Sequence, residues 1–263
     1  MKFLALAANV LLVANAALAS PLAARKQAVR DSLRARSAAR RSNRFIGSAD
    51  IDGETADVMS GNWAGAAIST SGVTEVTGTF TVPKPTVPSG GSSSTEYCGA
   101  AWVGIDGYTD DDLIQTGVLW CIEDGEYLYE AWYEYLPASL VEYSGITVTS
   151  GSVITVTATK TGDNSGVTTL ESGGTTVTHT FSGESSDLPG TSAEWIVEDF
   201  LSDDSEVPFA DFGTVTFTDA SAVVGGVTVT PGGDDAVNIY LEEDDKVLTS
   251  TTISGGTVTV VYE

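Results

Sequence analysis

Past residue 60 the chain is expected to fold as an all-β domain, an antiparallel sandwich or barrel. Three observations predict it. Short runs alternate in polarity with period two, glycine-rich breaks separate them, and no apolar repeat of 3.6 residues is sustained. In residues 153–159, Ile154, Val156 and Ala158 point one way, and Val153, Thr155, Thr157 and Thr159 the other. The same alternation recurs at 177–181, 214–218, 227–230 and 257–262. Valine and threonine are stiff at χ1 and suit a pleated surface. Gly90-Gly91, Gly173-Gly174, Gly225-Gly226 and Gly232-Gly233 are the expected turns.

The N-terminus reads as processing signal. Lys2 gives a positive start, residues 3–19 form an apolar stretch too short to span a bilayer, and Ala17-Leu18-Ala19 offers a cleavage site. Residues 1–19 are therefore expected to be a signal peptide and the protein to be secreted and extracellular. Residues 20–54 read as a basic propeptide, with a linker as the blander alternative. Residues 22–44 are rich in Ala, Leu and Arg without glycine, which favours a helix, and Arg40-Arg41 would suit a dibasic processing enzyme. Residues 55–263 form the remaining domain, long enough for one full core.

Charge sharpens this division. The 263 residues carry 12 Lys+Arg against 36 Asp+Glu, a net of −24. Nine of the basic residues precede residue 45, whereas from Thr55 onward three face 32 acidic ones, a net of −29. Nucleic acid and anionic membranes both need clustered Lys/Arg, so neither is an expected partner. A hydrophobic content of 42% excludes a disordered acidic tail. So acidic a domain repels itself at neutrality and is suited to acid, where carboxylates protonate, although adaptation to salt gives a similar composition. The basic 20–54 segment is expected to dock on this domain as an inhibitor and to be released in acid.

Most hydrolytic chemistries lack their residues. His179 is the one histidine, without a G-x-S-x-G elbow, so a serine triad is unsupported and H-E-x-x-H zinc sites are excluded. Cys98 and Cys121 are expected to form one disulfide in an oxidising compartment rather than a metal site. There is no P-loop, no G-x-G-x-x-G after a strand and no D-T-G or D-S-G, and the run Asp110-Asp111-Asp112 follows no EF-hand pattern. No metal and no cofactor is implied. What remains is carboxylates, amides and hydroxyls. In residues 129–137 one strand face carries Glu130, Trp132, Glu134 and Leu136; in 193–199 one face carries Glu194, Ile196 and Glu198. Carboxylates between large aromatics are costly in a dry core but fit a ligand groove. A solvated outer face, a glycosidase with paired carboxylates, and a binding module are the other readings of the same pattern.

Five motifs in one order narrow the choice. Asn62-Trp63-Ala64-Gly65, Trp102-Val103-Gly104-Ile105-Asp106-Gly107, Ile114-Gln115-Thr116-Gly117, Trp132-Tyr133-Glu134 and Ala193-Glu194-Trp195-Ile196-Val197-Glu198 resemble the fungal glutamic peptidases (eqolisins), from about Ser60 to the C-terminus. The resemblance implies two packed, curved, seven-stranded antiparallel sheets and a metal-independent acid endopeptidase acting on protein substrates. It implies Gln115 and Glu194 as the catalytic pair, and a substrate groove lined by Trp63, Trp102, Asp106, Glu130, Glu134 and Glu198. Glu194 would take a proton from water and return it to the leaving amine, while the Gln115 amide would hold the oxyanion and orient the water. A base that stays ionised implies activity near or below pH 4. The Cys98–Cys121 bridge would brace the strand carrying Gln115. Two departures touch substrate preference: Leu136 replaces a tyrosine expected before Pro137, and Glu130 stands where an aspartate is common.

Overall fold

The computed structural model describes residues 45–48, 57–199, 201–202, 205–233 and 236–263. The expected signal peptide and the expected helix at 22–44 lie outside them. Every regular element among the described residues is a strand. The front sheet runs in the order β1 (Phe45–Ser48), β2 (Asp57–Ser60), β17 (Ala236–Glu243), β3 (Trp63–Ser69), β12 (Ser192–Glu198), β5 (Tyr97–Ile105), β6 (Ile114–Glu123), β7 (Glu126–Tyr135) and β8 (Val141–Glu142), with β18 (Lys246–Val247) on β17. The back sheet runs β11 (Thr175–Ser182), β10 (Ser165–Ser172), β9 (Val153–Gly162), β4 (Val73–Thr81), β15 (Thr214–Val224), β20 (Thr257–Tyr262) and β19 (Thr249–Ser254), with β16 (Val227–Val229) on β15. A small ribbon pairs β13 (Leu201–Ser202) with β14 (Ser205–Glu206).

This is the expected all-β sandwich. Seven strands form the back sheet's continuous path, and seven from β2 to β7 form the body of the front one. The additions are short strands at the margins. Pairing is antiparallel throughout except between β2 and β17, which run parallel. β1 falls inside the segment read as propeptide, yet it pairs with β2 at the edge of the front sheet.

The alternation in sequence explains the layers. Ile154, Val156 and Ala158 of β9, Val76 and Phe80 of β4, and Val215 and Phe217 of β15 turn into the space between the sheets, where they meet Ala66, Val103, Val118 and Trp195 of the front sheet. Trp195 crosses this core and donates its indole N–H to Thr77 O at 2.8 Å, so its one polar atom is satisfied. On the solvent side of the back sheet threonines align across strands: Ser221, Thr77, Thr157, Thr169 and Thr178 form one row. Thr77 and Thr157 hydroxyls meet at 2.9 Å, as do those of Thr79 and Thr155. Gly173-Gly174 and Gly225-Gly226 turn their hairpins with positive φ at both positions, the requirement of a type I′ turn.

Cys98 and Cys121 lie opposite each other on β5 and β6 and form the expected disulfide, with Cα atoms 4.1 Å apart and 23 positions between them in sequence. Closing a loop of that size is worth about 3 kcal/mol by chain entropy. Gly117, on the same pair of strands, has no room for a side chain, since a Cβ would sit 2.1 Å from Ala101 O and 2.6 Å from Trp102 Cβ. We expect Gly117→Ala to lower stability by about 1–3 kcal/mol, the usual cost of overpacking, in chemical denaturation.

Candidate active site

Register alone gathers most of the candidate residues. Across β12, β5, β6 and β7, Glu194 lies opposite Gly104, Gly104 opposite Gln115, and Gln115 opposite Glu134. Two residues along, a second row runs Gly65, Ile196, Trp102, Gly117, Trp132, and a third runs Trp63, Glu198, Ala100, Leu119, Glu130. Residues directly opposed in a sheet share a face. Gln115, Glu194, Glu134, Trp102, Trp63, Glu198 and Glu130 therefore stand together on the face of the front sheet turned away from the back sheet.

Glycines make room in this array. Gln115 and Glu194 are two strand spacings apart, about 9.5 Å between backbones, and only Gly104 stands between them. The ring edge of Trp102 and a methyl of Leu113 lie on Gly104, since a Cβ there would be 3.0 Å from Trp102 Cζ3 and 2.9 Å from Leu113 Cδ1. Glycines flank the indole row as well: Gly65 has φ 142° and a Cβ there would meet Trp195 O at 2.0 Å. Trp63 and Trp102 pack edge to face with centroids 4.9 Å apart. Leu113, Leu119, Leu136, Leu140, Val207, Ile196 and Ile239 complete a second apolar cluster on this face. Leu136, the departure from the family pattern, is one of its buried members.

The carboxylates here are buried, and most have definite work. Gln115 Nε2 donates to Glu134 Oε2 at 2.6 Å, which leaves Gln115 Oε1 buried without a protein partner. Trp102 Nε1 donates to Glu198 Oε2 at 2.9 Å. Glu130 is buried in the third row. Glu194 differs: it is 0% exposed and neither carboxylate oxygen has a hydrogen-bond partner. Burial holds its carboxyl well above the ordinary value; the Ser192 hydroxyl pulls the other way, and the negative charges of Asp106 and Asp110 add to the rise.

Asp106 stands apart from the rows. It lies just past the end of β5 in the left-handed region (φ 69°), and its carboxylate is turned onto the segment leading into β12. It accepts from Gly190 N at 2.9 Å, from Thr191 N at 2.6 Å and from the Thr191 hydroxyl at 3.1 Å. Burial still raises its pKa against those hydrogen bonds. Asp110 braces the same turn, accepting from Gly107 N, Asp112 N and the Thr191 hydroxyl. In this arrangement Asp106 fixes the approach of β12, and so the position of Glu194.

Three residues of the site have no role assigned by the motifs or the charge pattern. Gly104 lies inside a motif that assigns it no role of its own; its missing side chain is what admits the Trp102 ring edge and a Leu113 methyl between the rows of Gln115 and Glu194. Ser192 is buried two positions before Glu194 on the same face, a relation that period-two counting reveals once Glu194 is singled out. Tyr108 feels the Glu194 charge, which after burial is the second cause raising its pKa; its place comes from a turn that no periodicity marks.

Comparison with known proteins identifies the family. Residues 61–262 match the model of the peptidase A4 family. The chain is 45% identical over 276 residues to aspergillopepsin-2 from Aspergillus niger, covering 95% of this chain and 96% of that one. It is 38% identical to scytalidopepsin B from Scytalidium lignicola over the full length of both. Among solved structures, scytalido-glutamic peptidase with a peptide-based transition-state analogue superposes with a TM-score of 0.68 at 38% identity, covering 77% of this chain and 98% of that one. Aspergilloglutamic peptidase from Aspergillus niger gives 0.61 at 52% identity, covering 64% and 99%. The chain thus belongs to the peptidase A4 family, the glutamic peptidases or eqolisins, and is a peptide-bond hydrolase.

Proposed function

We propose that this chain is a secreted acid endopeptidase, made as a zymogen with residues 1–19 as signal peptide, 20–54 as propeptide and 55–263 as the enzyme, and that Gln115 and Glu194 hydrolyse the peptide bond. The observation that carries the catalytic assignment is the buried, unpartnered Glu194 carboxylate facing an in-register Gln115 across a residue without a side chain. A water between them is oriented by Gln115 Oε1. Ionised Glu194 takes a proton from that water as its oxygen attacks the scissile carbonyl carbon. One Gln115 N–H is committed to Glu134, and the other donates to the oxyanion. Glu194 then delivers the proton to the amide nitrogen as the C–N bond breaks, giving a carboxylic acid and an amine. Trp63, Trp102, Glu130 and Glu198 line the substrate groove, and Asp106 serves it from the turn it braces.

Burial of Glu194 amends the pH argument from sequence. A carboxyl held above its ordinary value is largely protonated in acid, so the ionised fraction falls tenfold per pH unit below its pKa. In exchange it is a stronger base when ionised and a better-matched acid for the leaving amine. Acidification that neutralises Asp106 also removes one of the charges holding Glu194 up.

Gln115→Ala is expected to lower cleavage of a denatured protein by about 100- to 1,000-fold, the typical cost of one oxyanion donor. Glu194→Gln should abolish it. The measurement is a digest from pH 2 to 7 with pepstatin and EDTA as controls, neither of which should inhibit. If both variants remain proteolytic at pH 3 the catalytic assignment is wrong.

The raised pKa of Glu194 bears on stability too. A pKa raised by folding favours the native state below the unfolded value, and the benefit is lost as pH rises through the folded pKa. Toward neutrality the native state must carry a buried charge. Glu194→Gln should therefore match the wild type in acid and exceed it in melting temperature at neutral pH. The gain in stability should be about 1.4 kcal/mol for every tenfold by which folding strengthens proton binding at Glu194.

The propeptide reading rests on charge. Eight basic residues lie in 20–54, and the site holds Glu130, Glu134, Glu194 and Glu198. A synthetic 20–54 peptide should inhibit the mature enzyme near neutrality and release it at pH 3; equal inhibition at both, or none near neutrality, would count against it.

A further inference from the structure

Apart from its pull on the Glu194 carboxyl, the buried hydroxyl of Ser192 has no use in the fold or in the mechanism so far. The residue is 0% exposed and its Oγ has no hydrogen-bond partner. Its backbone is already engaged: it opposes Ser69 of β3, and its carbonyl accepts from Asp106 N at 3.1 Å. Packing alone would be met by alanine, as Ala67 shows on the same face of the adjoining β3 with 0% exposure. A hydroxyl removed from water without a partner is an unfavourable choice unless a partner arrives.

The acceptor is two residues along. Ser192 and Glu194 project from the same face of β12, about 7 Å apart along the strand, a distance a glutamate side chain bridges in part by leaning along it. Glu194 has two buried oxygens without donors. The groups facing it leave few other sources. From β3 the row partner is Ala67, and from β5 it is Gly104. Beyond β5 stand Asp106 and Asp110, which are acceptors turned onto the 190–191 segment. Across β6 and β7, Gln115 gives one N–H to Glu134. Further along β12, Glu198 accepts from Trp102. Tyr108, on the turn after β5, is the remaining titratable neighbour.

We propose that Ser192 is a positioning residue of the hydrolytic site: its hydroxyl donates to the Glu194 carboxylate once that group has lost its proton, and holds it toward the water shared with Gln115. This rests on the reading of Glu194 as the acid–base group. The donation favours the ionised form, so it widens toward acid the range in which a fully buried carboxyl can act as a base. It also explains a serine where a strand core would accept alanine.

The test follows the protonation of Glu194 directly. In the mature enzyme the infrared carboxyl band that disappears in Glu194→Gln is assigned to Glu194 and titrated in wild type, Ser192→Ala and Ser192→Thr. Ser192→Ala should titrate about one pH unit higher. The acid limb of its kcat/KM profile should move by the same amount, with kcat lowered about tenfold on that limb and KM unchanged. Ser192→Thr, which keeps the hydroxyl, should return the titration to the wild-type position. Thermal melts confirm that each variant is folded at the pH of measurement. An unshifted titration in Ser192→Ala overturns the proposal, as does a loss of activity that appears in KM alone. If Glu194→Gln still cleaves protein, the catalytic reading fails instead, while the titration still decides whether Ser192 and Glu194 are coupled.

Discussion

The site depends on the in-register meeting of three strands at Gly104. Because β12 and β6 both pair with β5, and because their partners there are Glu194 and Gln115, two side chains nearly eighty positions apart in sequence end on one row of one face. A slip of one residue in either pairing would turn one of them into the core between the sheets. The side-chain-free residue between them is as necessary as the pair itself, since any Cβ there would meet Trp102 and Leu113. The disulfide fixes the β5–β6 register six positions from Gly104, and the Asp106 contacts fix the entry of β12.

Around that row the front sheet bears a second apolar cluster on the face opposite the shared core. Such a surface would ordinarily exclude charge, and here it holds several carboxylates. The cost is met group by group. Glu134 accepts from Gln115, Glu198 from Trp102, and Asp106 from the 190–191 backbone. Glu194 is fully buried, and burial raises its pKa in spite of the opposing pull of the Ser192 hydroxyl. That property suits the proposed role of Glu194, in which it would both remove and return a proton.

The back sheet solves a different problem. Its solvent face is built largely of threonines, whose hydroxyls bond one another across strands and do not titrate. A domain with a net charge of −29 from Thr55 onward at neutrality can therefore lose most of its charge in acid and keep a wettable β surface.

The sequence by itself determined the fold class, the faces and the family. Period two is a local property of the chain, so the separation of Glu130 and Glu134 from Tyr129 and Tyr133, and of Glu194 from Trp195, is legible in the order of residues alone. The five motifs singled out Gln115 and Glu194, and the charge division at residue 45 marked the basic segment, although the first sheet strand, Phe45–Ser48, begins inside the range read as propeptide. Tertiary structure decided what period two cannot express: which strands are neighbours and in which register. Only that reveals Gly104 as the residue without a side chain between Gln115 and Glu194, Glu134 as the acceptor for Gln115, Asp106 as a brace on the 190–191 turn, and Ser192 as a buried hydroxyl on the face of Glu194. Burial was equally beyond the sequence, because Glu194 is desolvated only once β12 is seated between β3 and β5, strands from distant parts of the chain, and that burial moves its proton affinity away from the value a free carboxyl would have.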